Sequence, residues 1–329
     1  MLLKILKLRR YPILNQLLLE EALMRCDKRP EIGYIVLNEG NNGNCVVMGS
    51  GGKAADVLHL NNIKNDAFPV VRRFTGGGTV VVSPKTAFVS FIASHRMLEE
   101  CSFPVSEEEL HQQHKEHKKS EAIEITETDP SVNLKKKVFQ AYPRDIMLWS
   151  EYFYGPIFPK HKNFSLREND YVFGERKFGG NAQYMTGGLY KRFVHHTSFL
   201  WDYDSSEMER YLTLPSRRPA YRSDRKHDNF LCRMKDELKG EYSEEQDGPG
   251  WFLNKVQDRI NYLCDKGDWR DAVKDIQIIH QDQNSFQELL EFLSLPHISR
   301  TNWYFNKDKG DVQDIEEDLK KQDSTNTTE

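Results

Sequence analysis

The sequence predicts an α+β fold built on a mixed sheet with flanking helices, and three observations carry that expectation. Short β-rich runs, "YIVLNEG", "CVVMGSGG", "VVRRF", "TVVVS" and "AFVSFIA", follow one another between Asn and Gly turn signals, which suits a sheet with one well-buried face. Apolar residues at helical spacing bracket these runs: Leu14, Leu17, Leu18 and Ala22 on one side, Phe252, Val256, Ile260 and Leu263, then Phe286, Leu289, Leu290 and Leu293, on the other. A chain of 329 residues is long enough to bury a substantial core, as one large domain with appendages or as two domains.

Taken in order, residues 2 to 9 read as a first strand or extended lead-in. Pro12 suits the first turn of a helix whose Gln16, Glu20 and Glu21 lie opposite its apolar stripe. After the β-rich stretch, residues 105 to 140 are polar, charge-dense and without a usable apolar period, so they read as a low-complexity insertion in a surface loop. His111, His114 and His117 recur there every three residues, a weak metal signal beside the plain reading of a charged loop. Order resumes with "YPRDIMLWSEYFYGPIF", helical in its first part. Next come "LRENDYVFGERKFGGNAQ", two strands joined by the turn Gly174-Glu175, and the strand "RFVHHTSFLWDYD". Residues 236 to 305 are expected to form a C-terminal helical extension and 306 to 329 a polar, disordered tail, which leaves 1 to 235 as the main domain.

The net charge of −4 provides no global positive field, so neither nucleic acid nor an anionic membrane is an expected partner, and no apolar run reaches spanning length. The five cysteines, Cys26, Cys45, Cys101, Cys232 and Cys264, are widely spaced and odd in number, which suits reduced thiols inside a cell. A cytoplasmic location is expected; the alternative is that the basic, partly apolar start "MLLKILKLRRYP" is a short mitochondrial or plastid signal.

The stretch "VVRRFTGGGTVVV" sets three glycines between two arginines and a β-branched run. A P-loop or a dinucleotide fingerprint would open a helix at this point, whereas "TVVVS" is strand. What remains is a strand-loop-strand element whose glycines admit a ligand to bare backbone, with N–H groups that can meet an oxyanion or phosphate. A glycine bulge in a hairpin with two surface arginines is the plainer alternative. Successive strand residues face opposite ways, so one of Arg72 and Arg73 is expected to enter the pocket while the other pairs elsewhere.

"RRFTGGGTVV" resembles the Arg-Arg-x-Ser/Thr-Gly-Gly-Gly signature of the lipoate-protein ligase A family, in the biotin/lipoate protein ligase superfamily. In the same order, "RKFGGNAQ" resembles the family's Lys-x-Ser/Gly-Gly-x-Ala segment, "HHTSFLWDYD" its His-His-Gly-Thr-Leu-Leu strand and "LNQLLLEEAL" its first helix. The resemblance covers about residues 5 to 235 and implies a largely antiparallel sheet. It also implies an activity: ATP-dependent conversion of lipoate to lipoyl-adenylate, then transfer of the acyl group to a lysine of a carrier domain of the 2-oxoacid dehydrogenase or glycine-cleavage type. Both steps build negative charge on oxygens around one carbonyl carbon, which calls for fixed donors and a cation.

By the resemblance, Lys177 is that cation, and Gly179, Gly180, Asn181 and Ala182 form its segment. Arg73, Thr75, Gly76, Gly77 and Gly78, with Arg72 secondary, would bound the acyl carbonyl and phosphate. Asn169 and Asp170 match the family's Asn-Asp and would face nucleotide or Mg²⁺, Asp170 being the implied metal ligand. His195 and His196 face opposite sides of a strand, so one is expected in the core and one, His196, beside the pocket. The acyl tunnel is expected among "VVMGS" and "TVVVS".

Two departures from the family pattern matter. Thr197 replaces the glycine after the histidines, and no bacterial-type accessory domain is recognisable, so a separate accessory subunit is a candidate partner. The alternatives are an ATP-independent octanoyl or lipoyl transferase, which needs a thiolate for which Cys232 is the nearest cysteine, and a non-catalytic acyl- or carrier-binding relative.

Overall fold

The computed structural model describes residues 1–101, 142–187, 191–214, 219–223, 225–297 and 299–306. The proposed insertion at 105–140, with its three histidines, and the tail beyond residue 306 lie outside these described residues.

Eight strands form the larger sheet: β1 (Leu2–Arg9), β2 (Ile32–Glu39), β6 (Thr86–Ser94), β7 (Phe164–Arg167), β8 (Asp170–Phe173), β9 (Arg176–Met185), β10 (Arg192–Leu200) and β11 (Asp275–His280). Their spatial order is β11-β1-β2-β6-β10-β9-β8-β7. The β11-β1 and β1-β2 pairs are parallel, and every other pair in this sheet is antiparallel. A smaller sheet, ordered β12-β4-β3-β5, holds β3 (Cys45–Met48), β4 (Val70–Arg72), β5 (Val80–Val82) and β12 (Asn302–Phe305). The fold is thus α+β with mostly antiparallel, open sheets.

The three longest helices among the described residues are α1 (Ile13–Cys26), α2 (Pro143–Tyr154) and α3 (Pro249–Asp265). Ile146, Trp149 and Phe153 of α2 and Phe252, Val256 and Ile260 of α3 pack with Phe178, Phe193 and Phe199 on one face of the large sheet. On the other face α1 is sandwiched: Leu19 and Leu23 meet Ile92 and Val194 of the large sheet, while Ile13 and Leu17 meet Val47, Val71 and Val82 of the small one. Asn41 accepts a 2.8 Å hydrogen bond from the Ile13 amide, satisfying one of the free donors at the start of α1.

Gln16, Glu20 and Glu21, opposite the apolar stripe of α1, are all buried. Glu20 accepts from Gln16 and from Ser90 of β6, and Glu21 accepts from the backbone amides of Arg300 and Thr301, so hydrogen bonds satisfy the carboxylates that the sandwich removes from water. Residues 236–305 are not a helical extension alone. They contain α3, but β11 extends the large sheet beside β1, and β12 extends the small sheet beside β4, so this segment is woven into both.

Candidate functional site

The glycine loop joins β4 to β5 and is anchored by the two residues that precede it. Phe74 is buried among Tyr34, Ile92 and Val194, with its ring 5.7 Å from that of Tyr184. The buried Arg73 guanidinium donates to the carbonyls of Gly76 (2.9 Å) and Gly78 (2.7 Å) from Nη2 and to Val47 O (3.3 Å) from Nη1. Burial lowers its pKa to about 10, which leaves it charged at neutral pH. Arg73 therefore turns carbonyls of the loop inward as an internal staple, and its donors are spent on backbone. Arg72, on the other side of the strand, donates to Gly52 O (2.8 Å) and lies over the Tyr304 ring at 5.3 Å. Thr75 is fully buried, and its hydroxyl has no hydrogen-bond partner among the described residues.

Gly77 alone of the three loop glycines has φ in the left-handed region, at +106°. A Cβ there would stand 2.8 Å from Arg73 Nη2 and 3.0 Å from Asn181 O of β9. At Gly76 and Gly78 a Cβ would meet nothing within 4 Å. The fold demands one glycine, and the other two leave bare, open backbone.

That loop abuts the strand carrying Lys177. In the β8–β9 hairpin, Asp170 pairs with Gly180 and Tyr171 with Gly179, but Val172 pairs with Lys177, so Phe178 is an extra, bulged residue. Without the bulge, Lys177 and Gly180 would face opposite sides of the sheet. With it, Phe178 and Gly179 both turn to the aromatic core, and the Lys177 side chain folds over Gly180, where a Cβ would lie 3.1 Å from Nζ. Gly179 has a packing reason, since a Cβ there would come within 3.0 Å of Tyr171 and 3.1 Å of Phe199. Lys177 Nζ pairs with Asp170 Oδ1 at 2.7 Å, the lysine side chain being 21% exposed. Asp170, Lys177, Gly180 and Ala182 thus share the face that meets the glycine loop.

Asn181 faces the other way. It accepts from Thr197 Oγ1 at 2.6 Å and donates to the Asn169 carbonyl at 3.0 Å, so Thr197 in place of glycine ties β10 to β9. Asn169 itself sits exposed in the β7–β8 turn. The histidines divide as strand alternation requires. His195 is fully buried between Gln183 (2.9 Å) and the Tyr171 hydroxyl (3.3 Å), and burial drives its pKa down to about 3. His196, opposite Ala182 on the loop-facing side, contacts Ser90 Oγ at 2.8 Å and both Glu20 oxygens at 3.1 Å.

Asp170, the residue implied for Mg²⁺, has its Oδ1 on Lys177 and its Oδ2 accepting from the Tyr221 hydroxyl at 2.9 Å, and the described residues contain no cluster of three or more His, Cys, Asp or Glu suited to a metal ion, so a Mg²⁺ on Asp170 would take its other ligands from substrate phosphates. Cys232 is unsuited to nucleophilic work: it is buried in the aromatic core, and burial pushes its thiol up to about 12. Sequence reasoning missed Tyr221 and the Glu20–Ser90 pair, whose proximity to Asp170 and His196 comes from chain segments that only the fold brings together.

The lipoyl protein ligase A/B catalytic domain model matches residues 12–246. The chain belongs to that family. It is 28% identical over 295 residues to a Plasmodium falciparum protein named inactive lipoate–protein ligase 2, covering 77% of this chain and 68% of the relative. Among solved structures, P. falciparum LipL1 in complex with lipoate superposes with a TM-score of 0.53 at 16% identity, over 89% of this chain and 71% of that one. The bipartite lipoate protein ligase of Thermoplasma acidophilum, studied with its E2 lipoyl domain, gives 0.51 at 13% identity, over 89% and 92%. Both likenesses establish the shared fold. No helix among the described residues is long and apolar enough to cross a membrane.

Proposed function

We propose that this family member is a working lipoate–protein ligase. In the first step the lipoate carboxylate attacks the α-phosphate of ATP, giving lipoyl-adenylate and pyrophosphate. In the second, the amine of a carrier-domain lysine attacks the acyl carbonyl and AMP leaves. The observation that carries this reading is the bulge that turns Lys177 onto the face meeting the open glycine loop, with Asp170 as its resting counterion. Substrate oxygens would take Asp170's place at Nζ as charge develops on them, where a fixed cation is most effective. Arg73 acts by shaping the loop, and the amides near Gly76 and Gly78 face the ligand. The carrier would be a lipoyl domain of the 2-oxoacid dehydrogenase or glycine-cleavage type, in the cytoplasm. ATP is a substrate in this scheme, and no step is assigned to a protein-held metal.

The second reading is a non-catalytic acyl- or carrier-binding relative, favoured by the name of the 28% identical Plasmodium protein. A cysteine-dependent transferase has less support, because Cys232 is buried with a raised pKa. Lipoate-dependent ATP–pyrophosphate exchange, followed by lipoylation of an added carrier domain, tests the choice. Exchange that falls about 10²- to 10³-fold in Lys177→Ala is expected of a ligase. Tight lipoate binding with no exchange and no carrier acylation would favour the binder instead.

A further inference from the structure

We propose that Tyr221 is a positioning residue for Lys177 that acts through Asp170, an assignment that rests on the ligase reading above. The Tyr221 hydroxyl donates to Asp170 Oδ2 at 2.9 Å while Lys177 holds Oδ1 at 2.7 Å, so each carboxylate oxygen has one partner. Turning both oxygens toward the ammonium would pull Oδ2 away from the Tyr221 hydroxyl, so this bond holds the carboxylate in a rotation that offers Lys177 the single Oδ1 contact, which substrate oxygens can replace.

Tyr221 is itself fixed from several sides. The Arg167 guanidinium lies 4.7 Å from its ring centroid and that of Arg225 6.0 Å. Arg225 Nη2 donates to the Tyr221 carbonyl at 2.6 Å and Nη1 to Glu175 O at 3.0 Å, which ties this stretch to the hairpin turn before β9. Glu168 accepts from the Ala220 amide at 2.7 Å. Farther along the same stretch, Leu231 pairs in parallel with Lys177, and the Cys232 amide donates to the Lys177 carbonyl at 2.9 Å. The chain from Ala220 to Cys232 thus grips Lys177 by its backbone and, through Tyr221 and Asp170, by its head group. Burial and the neighbouring Asp170 carboxylate both raise the Tyr221 pKa, so the hydroxyl stays a donor across working pH.

The test is the rate at which Lys177 is acetylated by limiting acetic anhydride, read by peptide mass spectrometry against the exposed Lys239 in the full chain. Tyr221→Phe is expected to slow Lys177 about tenfold or more, the worth of one hydrogen bond to a charged group, with Lys239 unchanged. In the same variant kcat for carrier lipoylation should fall with the KM for lipoate held within about twofold. In an Asp170→Ala background, Tyr221→Phe should change neither quantity further. An unchanged or faster Lys177 rate in Tyr221→Phe overturns the proposal, as does an equal effect of the substitution when Asp170 is absent. If the unmodified protein shows no ligase turnover, the ligase reading fails, while the acetylation rates, which need no turnover, still decide the role of Tyr221.

Discussion

Alanine substitution along the glycine loop separates what the fold needs from what a ligand would need. At Gly77 an alanine must hold φ near +106°, which costs an L-residue about 1–2 kcal/mol, and its Cβ would displace Arg73 Nη2 from 2.8 Å. That nitrogen carries the 2.7 and 2.9 Å bonds to Gly78 and Gly76, and losing one charge-assisted bond costs about 1.5–3 kcal/mol. Against this, the smaller entropy of the unfolded chain returns about 0.4–1 kcal/mol. The net loss is about 3 kcal/mol, which for a chain of this size lowers Tm by about 4 °C. At Gly76 and Gly78 neither penalty applies, because φ lies outside the left-handed region and a Cβ meets nothing within 4 Å. Those two alanine variants should melt within about 2 °C of the parent in scanning calorimetry, yet bind lipoyl-adenylate more weakly by about tenfold or more, since a methyl group then occupies the space reserved for ligand. A Gly77→Ala variant that melts with the parent would refute the assignment of Arg73 as the loop's staple, and undiminished binding in Gly76→Ala and Gly78→Ala would refute the assignment of the open backbone to a ligand.

Other predictions follow from the same geometry. Gly179→Ala presses on Tyr171 and Phe199 and should destabilise by about 1–3 kcal/mol, whereas Gly180→Ala meets the movable end of Lys177 and should cost activity with little change in urea midpoint; reversed phenotypes would contradict the bulge geometry. Cys232→Ala should retain the parent's turnover, and native Cys232 should resist iodoacetamide at pH 7.5 because burial holds its thiol near 12; rapid alkylation or loss of acyl transfer would revive the cysteine mechanism. His195, with a folded pKa near 3 against about 6.5 unfolded, binds no proton in the native state while the unfolded chain does, so its contribution is intact above about pH 6.5 and is lost as pH falls toward 3. Between pH 7 and pH 5 the parent should lose about 2 kcal/mol that a His195→Gln variant does not lose, and parallel pH profiles in urea unfolding would contradict this.

Much of this architecture is legible in the chain because its signals are local. The first strand, the hairpin turning at Gly174 and the two-histidine strand emerge as β1, β8–β9 and β10, and the helical spacing of Phe252, Val256 and Ile260 emerges as α3. What escapes such a reading depends on partners remote in sequence. "DIQIIH" and "NWYF" are short and unpatterned, and they become strands because β1 and β4 offer edges to pair with. The burial of Glu20 and Glu21 escapes periodicity, which cannot see that α1 is covered on both sides. At the site, motif order marks Lys177 and the glycines, but the sequence cannot tell that Arg73 is consumed by backbone carbonyls or that Tyr221 completes the Asp170–Lys177 pair.

The central claim is that Lys177 and the glycine loop together hold an acyl-adenylate. Isothermal titration of a nonhydrolysable lipoyl-adenylate analogue into the parent protein and into Lys177→Ala tests it most directly, since it needs neither a carrier domain nor turnover. Binding to the parent is expected, with a loss of about tenfold or more in a Lys177→Ala variant that still unfolds cooperatively above the temperature of the titration. Equal affinity for both proteins, or no binding to the parent, would contradict it.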